Sequence, residues 1–199
     1  MTIKNFLSGV IEDTFDDYLT NERWAEEGPS RDLRIQSLVD KAHAEFENKV
    51  GIKLDNKQTY IDSGANGSVY KLDATRVIKF TSSSYELDGA KRILAKRKKR
   101  HKHIYEVLAL GKLKSVHENF IVMPLYKEIP RRKAALFCDV MTDKTVMYMD
   151  DDDFEMLEKH ALPAAKELDE LGLKHDDLHE GNIMQDNKGN IVMIDIGDW

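Results

Sequence analysis

Hydrophobic residues recur every three or four positions along the first fifty residues, a spacing typical of helices with one buried face. The first predicted helix starts at Ile3, and its buried face would comprise Phe6, Leu7, Val10, Ile11, Phe15, Tyr18 and Leu19. Gly28 and Pro29 break it, and Ser30 is predicted to cap a second helix that stops at Gly51. The second buried face would comprise Ile35, Leu38, Val39, Ala42, Phe46 and Val50. We expect this helical pair to be a scaffold or docking extension.

The pattern then changes to short runs of β-forming residues separated by turn residues. Strands are predicted over 58–61, 68–72 and 76–80. A helix follows from Ser82 to about His103, and two further strands are predicted over 107–113 and 119–126. The five strands would form one antiparallel sheet.

The last third begins with residues 127–149, in which no clear period is visible. Four acids, Asp150 to Asp153, then precede a helical pattern and would complement the positive end of the helix dipole. The buried stripe of this helix would comprise Phe154, Leu157, Ala161, Ala165, Leu168 and Leu171. Pro163 should kink the helix near Lys159, and Gly172 should end it.

The composition indicates a soluble globular chain with one core, because 41% of the 199 residues are hydrophobic and 33% are charged. Cys138 is the only cysteine, so no disulfide can form within the chain, and we expect a reducing, cytoplasmic location. Neither a signal peptide nor a run of about eighteen apolar residues is present, so no membrane association is expected.

Charge is unevenly spread along the chain. The net charge of -6 argues against a nucleic-acid partner, yet eight of the twelve residues from Lys91 to Lys102 are Lys or Arg. Basic residues favour a helix C-terminus and a solvated surface, and that interpretation is preferred here. Docking of an acidic partner is the alternative.

The candidate chemistry is concentrated near the C-terminus. Asp177 and Asn182 lie five residues apart in the segment His-Asp-Asp-Leu-His-Glu-Gly-Asn, and Asp195 follows thirteen residues after Asn182. A turn over residues 186–190 predicts a hairpin that returns the chain, so that Asp195 can face Asn182. Two hard oxygen ligands of this kind suit Mg²⁺. His175 and His179 are expected to be hydrogen-bonding residues of the loop.

Two further motifs lie upstream. The segment Asp62 to Val69 contains Gly64 and Gly67 between two predicted strands. Glycines let backbone N–H groups approach phosphate oxygens, although two glycines between strands are also typical of a plain hairpin turn. One hairpin later, Lys79 follows Val77 and Ile78 in an apolar strand.

Together, in this order, the motifs resemble the protein-kinase-like superfamily. The Asp-Leu-His-x-Gly-Asn form of the loop is similar to aminoglycoside and choline phosphotransferases and to short phage-encoded Ser/Thr kinases. The resemblance implies an α+β, protein-kinase-like fold with a five-stranded N-lobe and a truncated C-lobe. It further implies a helical extension over 1–52, an N-lobe over 53–126 and a minimal C-lobe over 127–199.

The resemblance also implies the role of each site residue. Asp177 would accept the proton of the acceptor hydroxyl, and Asn182 and Asp195 would hold Mg²⁺. Lys79 would bind ATP phosphates and pair with Glu86, with Asp88 as the less favoured acid. The remaining ATP-binding residues would be Gly64, Ala65, Asn66, Gly67, Val69, Met123 and Leu125.

Several positions depart from the kinase pattern. Asp62 replaces the first glycine of the loop, Asp176 replaces an arginine that reads a phosphorylated activation loop, and Ile196 replaces a phenylalanine. The sequence ends at Trp199, so no activation segment and no large helical lobe are expected.

We expect an ATP- and Mg²⁺-dependent enzyme that phosphorylates protein hydroxyls, in the host cytoplasm if the chain is phage-encoded. The alternatives are a nucleotide-binding pseudokinase or interaction module and a small-molecule kinase. A protein substrate or partner is expected, and the sequence leaves the oligomeric state open.

Overall fold

The computed structural model of the chain describes residues 1–21, 29–64, 67–99, 101–142, 150–175 and 177–197, with the backbone alone at 14–21 and 29–32. Its helices are α1 (Ile3–Asn21), α2 (Pro29–Val50), α3 (Ser84–Ala95), α4 (Arg131–Met141), α5 (Asp151–Met156) and α6 (Leu162–Leu171). Its strands are β1 (Thr59–Gly64), β2 (Gly67–Lys71), β3 (Arg76–Thr81), β4 (Ala109–Leu113), β5 (Glu118–Pro124), β6 (Lys127–Glu128), β7 (Ile183–Gln185) and β8 (Ile191–Met193).

These elements form two compact units. The first comprises Met1–Ser82 and Ala109–Val122, and the second comprises Ser83–Leu108 and Met123–Trp199. The fold is α+β, as predicted. The division into 1–52, 53–126 and 127–199 stays a prediction, although the compact units place α3 with the C-terminal residues and the two N-terminal helices with the sheet.

The first unit is built on the predicted five-stranded sheet, in the order β1-β2-β3-β5-β4. The pairs β1–β2, β2–β3 and β4–β5 are antiparallel. In β3, buried and exposed residues do not alternate, because the strand is buried along nearly its whole length. Both faces of β3 are therefore covered, and Lys79 and Thr81 are buried along with its apolar residues.

Helices α1 and α2 supply the apolar side chains that cover this sheet. One buried cluster joins both helices with four strands and the β4–β5 turn: Ile3, Leu7, Ile11, Val39, Ala42, Phe46, Tyr70, Leu72, Ile78, Phe80, Leu113, Val116, Phe120 and Val122. Phe6, Val10, Ile35, Leu38 and Val50 pack against it from partly buried positions. The two buried helix faces predicted from the sequence are therefore confirmed, except at Phe15, Tyr18 and Leu19, whose side chains lie outside the described residues.

The ends of α2 correct one prediction and confirm another. The helix starts at Pro29, so Ser30 lies inside it and is not its cap. Proline fits the first turn of a helix because its missing N–H has no partner there in any case. Gly51 stops the helix as predicted, with φ +73° and its N–H donating to Glu47 O at 2.8 Å.

In the second unit, the helix after β3 is shorter than predicted. It ends at Ala95 rather than near His103, and the basic run continues beyond it. Arg92 donates to Gly172 O at 2.8 Å, and Lys96 and Lys99 bind the main chain and the carboxylate of Glu170. Part of the basic run therefore holds the carbonyl end of α6, where cations are favoured by the helix dipole.

The helical segment from Asp151 to Leu171 is interrupted near the predicted place. Leu157–Ala161 forms a π-helical turn, because Pro163 has no N–H to donate to Lys159 O. Asp150 caps α5 in a reciprocal capping box with Asp153, which agrees with the dipole interpretation of the four acids. Gly172 ends α6 with φ +66°.

In the second unit, one buried position was predicted wrongly and one helix was not predicted. Phe154 was placed on the buried stripe but is 54% exposed, and Met156 is buried instead. Helix α4 has no counterpart among the predicted elements, although Phe137 and Val140 on it are buried. None of the helices within the described ranges has the length and apolar character needed to cross a bilayer.

Candidate functional site

The loop after α6 brings Asp177 and Asn182 together. A 3₁₀ turn over Glu180–Asn182 folds the loop back, with Asn182 N–H donating to His179 O at 2.9 Å. The Asn182 side chain is 7% exposed, and its Nδ2 donates to Asp177 O at 3.0 Å. Because the amide nitrogen is committed to this bond, Oδ1 is the atom of the carboxamide left to act as a ligand.

The β7–β8 hairpin brings Asp195 to the same place. Ile183 pairs with Met193, and Ile194 N–H donates to Asn182 O at 2.9 Å. Asp195 itself has φ +61°, a left-handed conformation that few residues other than glycine, asparagine and aspartate adopt. The chain turns sharply there and leaves the Asp195 residue exposed. The predicted hairpin is confirmed, and its main-chain bond from Ile194 to Asn182 brings the residue before Asp195 to the loop that carries Asp177.

His175 ties the start of the loop to the end of the hairpin. Its Nε2 lies 3.1 Å from Ile194 O, so this nitrogen carries the hydrogen. Burial lowers the pKa of His175, and the hydrogen bond to Ile194 and the charges of Asp195 and Asp177 oppose that shift only in part. His175 is therefore a neutral hydrogen-bond donor of the loop, as expected.

Helix α3 lies directly against the Asp195 segment. A Cβ built on Gly89 would lie 2.6 Å from Ile196 O, so only a glycine allows this approach. Glu86, one turn earlier on the helix, is 5% exposed, and its N–H donates to Ser83 Oγ at 3.2 Å. The carboxyl group of Glu86 is thus buried, as an inward orientation requires. Its pairing with Lys79 stays a prediction.

Tyr105 places a buried phenol beside these acids. Its N–H donates to Met193 O at 3.0 Å, two residues before Asp195. The residue is 1% exposed, and its hydroxyl has no hydrogen-bond partner in the described part of the chain. Burial raises the pKa of Tyr105 well above its usual value, and the nearby charges of Glu86 and Asp195 raise it further. The hydroxyl is therefore neutral, and the charges of both carboxylates act on it.

The first unit holds the predicted phosphate-binding residues. Gly64 and Gly67 end β1 and begin β2, facing each other across the hairpin, and Ala65 and Asn66 lie outside the described residues. A Cβ on Gly67 would lie 1.9 Å from Phe80 O, so the close approach of β3 also requires a glycine at position 67. Asp62 is exposed and accepts from the N–H of Ser63 at 2.8 Å.

Lys79 is buried in the middle of β3. It lies opposite Val69 on β2 and is 8% exposed. A lysine is almost never buried without a partner, so this placement goes beyond what a solvent-facing strand position requires.

Two of the predicted ATP-binding residues, Met123 and Leu125, lie at the end of strand β5 and directly after it. Met123 is buried, Leu125 is 38% exposed, and Pro124 between them removes one main-chain donor.

The donor set fits a magnesium ion better than a transition metal. Within the described ranges, no group of three or more His, Cys, Asp or Glu side chains could hold a metal ion. Mg²⁺ is commonly held by one or two carboxylate or amide oxygens while keeping several waters, and Asn182 and Asp195 supply that kind of ligand.

Comparison with known proteins gives matches among solved structures. No protein-family model and no curated protein matches the chain. Solved structures of the Mycobacterium tuberculosis PknI kinase domain do. The chain is similar to protein kinase domains.

One PknI structure is 18% identical to this chain, with a TM-score of 0.44, over 71% of this chain and 58% of that chain. A mutant form is 19% identical with a TM-score of 0.44, over 71% and 58%. A double mutant is 18% identical with a TM-score of 0.42, over 70% and 62%. The chain thus spans about three fifths of the length of these kinase domains.

Sequence reasoning missed Gly89 and Tyr105. The signal for Gly89 was a glycine inside a helix, three residues after Glu86, where glycine costs stability and a packing reason is expected. Tyr105 gave no signal, because its proximity to Glu86 and Asp195 depends on the pairing of residues 103–105 with β8.

Proposed function

We propose that this protein is an ATP- and Mg²⁺-dependent phosphotransferase that phosphorylates hydroxyl groups of a protein substrate, in the manner of a Ser/Thr kinase. The observation that carries the proposal is the hydrogen-bonded arrangement of Asp177, Asn182 and the Asp195 segment. Asn182 donates to Asp177 O at 3.0 Å and accepts from Ile194 N–H at 2.9 Å. Kinase-like enzymes use a catalytic-loop Asp as the base, and the Asn five residues on and a later Asp as metal ligands, which is the order of Asp177, Asn182 and Asp195 in this chain.

Each residue then has a defined task. Asp177 accepts the proton of the acceptor hydroxyl. The hydroxyl oxygen bonds to the γ-phosphorus, while the bond between the γ-phosphorus and the β-phosphate oxygen breaks. Asn182 Oδ1 and the Asp195 carboxylate would hold Mg²⁺, which neutralises the charge of the phosphate oxygens when bound. Lys79 would bind the α- and β-phosphates of ATP, and the backbone N–H groups at Gly64 and Gly67 would donate to phosphate oxygens.

The proposal is tested with labelled ATP and Mg²⁺, with and without a cell lysate, comparing the wild type with Asp177→Ala and Asp195→Ala. We expect transfer of label to protein by the wild type and a loss of about a hundredfold or more in Asp177→Ala, the size of a general-base contribution. Absence of transfer from the wild type to any protein would contradict it. A panel of small hydroxylated acceptors in the same assay tests the small-molecule alternative, which the Asp-Leu-His-Glu-Gly-Asn loop favours.

A nucleotide-binding module without transfer is the second candidate. Asp62 favours it, because this exposed carboxylate lies at the entrance of the glycine-containing hairpin and would repel phosphate. If nucleotide raises the melting temperature while no label is transferred, this candidate replaces the first.

A further inference from the structure

The loop that carries Asp177 also contains an imidazole next to it. Nδ1 of His179 accepts a hydrogen bond from Gly181 N–H at 3.1 Å, and Nε2 of the same ring lies 3.8 Å from Asp177 Oδ2. The ring therefore contacts the main chain with one nitrogen and faces the carboxylate with the other.

These contacts decide where the ring hydrogen is. In a neutral imidazole one nitrogen donates and the other accepts. Because Nδ1 accepts from Gly181, Nε2 must carry the hydrogen, and Nε2–H points to the side of Asp177.

Gly181 makes room for this ring position. A Cβ built on Gly181 would lie 2.9 Å from Cε1 and 3.1 Å from Nδ1 of His179. His179 is also fixed through its main chain, since its carbonyl accepts from Asn182 N–H at 2.9 Å. The glycine and the 3₁₀ turn together hold the imidazole in place, which gives a role to two loop residues that the proposed function does not use.

The carboxylate, by contrast, is weakly held by packing. The side chain of Asp177 is 78% exposed. Its main-chain oxygen is fixed by Asn182, but that bond does not set the rotation of the carboxyl group. A base must keep its oxygen within hydrogen-bond reach of the acceptor hydroxyl, so a group that restricts this rotation is needed.

We propose that His179 is a positioning residue that holds the Asp177 carboxylate toward the acceptor hydroxyl by donating its Nε2 hydrogen to Oδ2. At 3.8 Å the contact is longer than a hydrogen bond, so the proposed bond requires the exposed carboxyl group to rotate toward the ring. Hydrogen bonds of a base commonly tighten when substrate binds. The inference rests on the proposed function, in which Asp177 is the base.

Two substitutions separate the two ring nitrogens. His179→Asn keeps an acceptor near Nδ1 but has no donor that reaches Asp177, whereas His179→Gln places a donor near Nε2. We expect His179→Asn to lower kcat about tenfold, as for the loss of one hydrogen bond to a charged group, with KM for ATP and the melting temperature unchanged. His179→Gln should recover most of kcat. In an Asp177→Ala background, His179→Asn should cause no further loss.

The outcomes that contradict the inference are equally defined. Wild-type kcat in His179→Asn would show that donation to Asp177 is not needed. A larger loss in His179→Gln than in His179→Asn would show that the bond with Gly181 N–H is the one that matters, and the role would be structural only.

A second measurement does not depend on transfer. Long-range ¹⁵N NMR of the histidine rings reports which nitrogen carries the hydrogen, and His179→Gln identifies the signals. We expect hydrogen on Nε2 and a changed Nε2 shift in Asp177→Asn. Hydrogen on Nδ1, or a spectrum that Asp177→Asn leaves unchanged, would overturn the inference. If the wild type transfers no phosphate but the spectra show hydrogen on Nε2 and a changed Nε2 shift in Asp177→Asn, the proposed function fails and the placement of His179 stands.

Discussion

At the scale of single residues, Gly89 shows that a glycine in a helix is not always replaceable. Alanine in place of a helical glycine normally stabilises by about 1 kcal/mol, because it restricts the unfolded chain and suits the helix. At Gly89 the added Cβ would lie 2.6 Å from Ile196 O, a main-chain atom that cannot move alone. The helix and the Asp195 segment would have to separate.

We therefore expect Gly89→Ala to lower the free energy of unfolding by about 1–3 kcal/mol, the usual cost of overpacking. It should also reduce Mg²⁺-dependent nucleotide binding, since Asp195 precedes Ile196. Urea unfolding at neutral pH measures the first effect. Gly9→Ala in α1 is the matched control, because nothing described lies within 4 Å of its Cβ position, and we expect it to stabilise. Stabilisation by both substitutions would contradict the close approach.

A substitution at Tyr105 is expected to raise the stability of the folded chain, whereas Gly89→Ala is expected to lower it. Its hydroxyl is buried without a described partner, and an unsatisfied buried polar group costs about 1–3 kcal/mol. Tyr105→Phe should raise the melting temperature in the absence of nucleotide. Tyr70→Phe is the control, because the Tyr70 hydroxyl is hydrogen-bonded to the Ser68 side chain and its loss should destabilise. A drop in stability in Tyr105→Phe would show that the phenol has a partner such as a bound water.

At the scale of elements, the turn between β2 and β3 is stabilised by a carboxylate. Burial alone would raise the pKa of Asp73, but hydrogen bonds from the Arg76 side chain and from Thr75, together with the Arg76 charge, lower it to about 2. Because the folded pKa lies below the unfolded one, this contribution to stability is complete above the usual carboxyl range. It is lost as the pH falls from about 4 to about 2.

Asp73→Asn should therefore be less stable than the wild type at pH 6, and the difference should shrink as the pH approaches 2. The measurement is the urea midpoint of both proteins at several pH values, with Asp55→Asn as a control because Asp55 lies in a separate turn. A difference that stays constant with pH would mean that the Asp73 carboxylate is not held more tightly in the folded chain.

Element prediction succeeded where the period of the sequence stays regular. The alternation of β-forming runs and turn residues located β1 to β5 to within a few residues, because each strand is bounded by turn residues. It failed at Phe154 for a geometric reason. The π-helical turn over Leu157–Ala161 adds a residue to one turn and rotates everything before it, so Met156 occupies the buried position that an uninterrupted helix would assign elsewhere.

Helix α4 could not be predicted in the same way. It has only eleven residues and follows Pro130, and no side-chain hydrogen bond caps its start. Helices of this length owe most of their stability to tertiary packing, which a local pattern does not contain. The basic run was likewise understood only in part, because the partners of Arg92, Lys96 and Lys99 lie more than seventy residues away.

At the scale of the whole molecule, the turn over residues 186–190 was sufficient to predict the hairpin that returns the chain to Asn182, since a hairpin leaves few ways to close the chain. The contacts that Gly89 and Tyr105 make with distant segments could not be predicted from the sequence. Nothing in the local sequence around Gly89 or Tyr105 indicates that they lie beside Ile196 and Asp195, because those contacts depend on the packing of the second unit.

Nucleotide binding is the prediction that belongs to the whole molecule. A ligand at a hundred times its Kd stabilises the folded chain by about 2.7 kcal/mol. We expect Mg²⁺ and ATP together to raise the melting temperature more than ATP with a chelator. Asp195→Asn should remove the effect of Mg²⁺ and leave the left-handed turn intact, since asparagine accepts positive φ.

Lys79→Met should remove the response to ATP itself. Leu162→Met, at an exposed apolar position on α6, is the control and should respond like the wild type. An equal response to Mg²⁺ in the wild type and in Asp195→Asn would exclude Asp195 as a ligand.

The order of segments in the two compact units has a consequence for synthesis on the ribosome. The first unit is complete once residue 122 has been made, whereas the second needs residues 83–108 and then everything from 123 onward. Since domains fold as units as the chain emerges, the first unit can form while helix α3 still lacks the segments that bury it. During that interval Gly89 lacks its neighbour Ile196, and a chaperone that recognises apolar helices would find its target on α3 before the Asp195 segment is made.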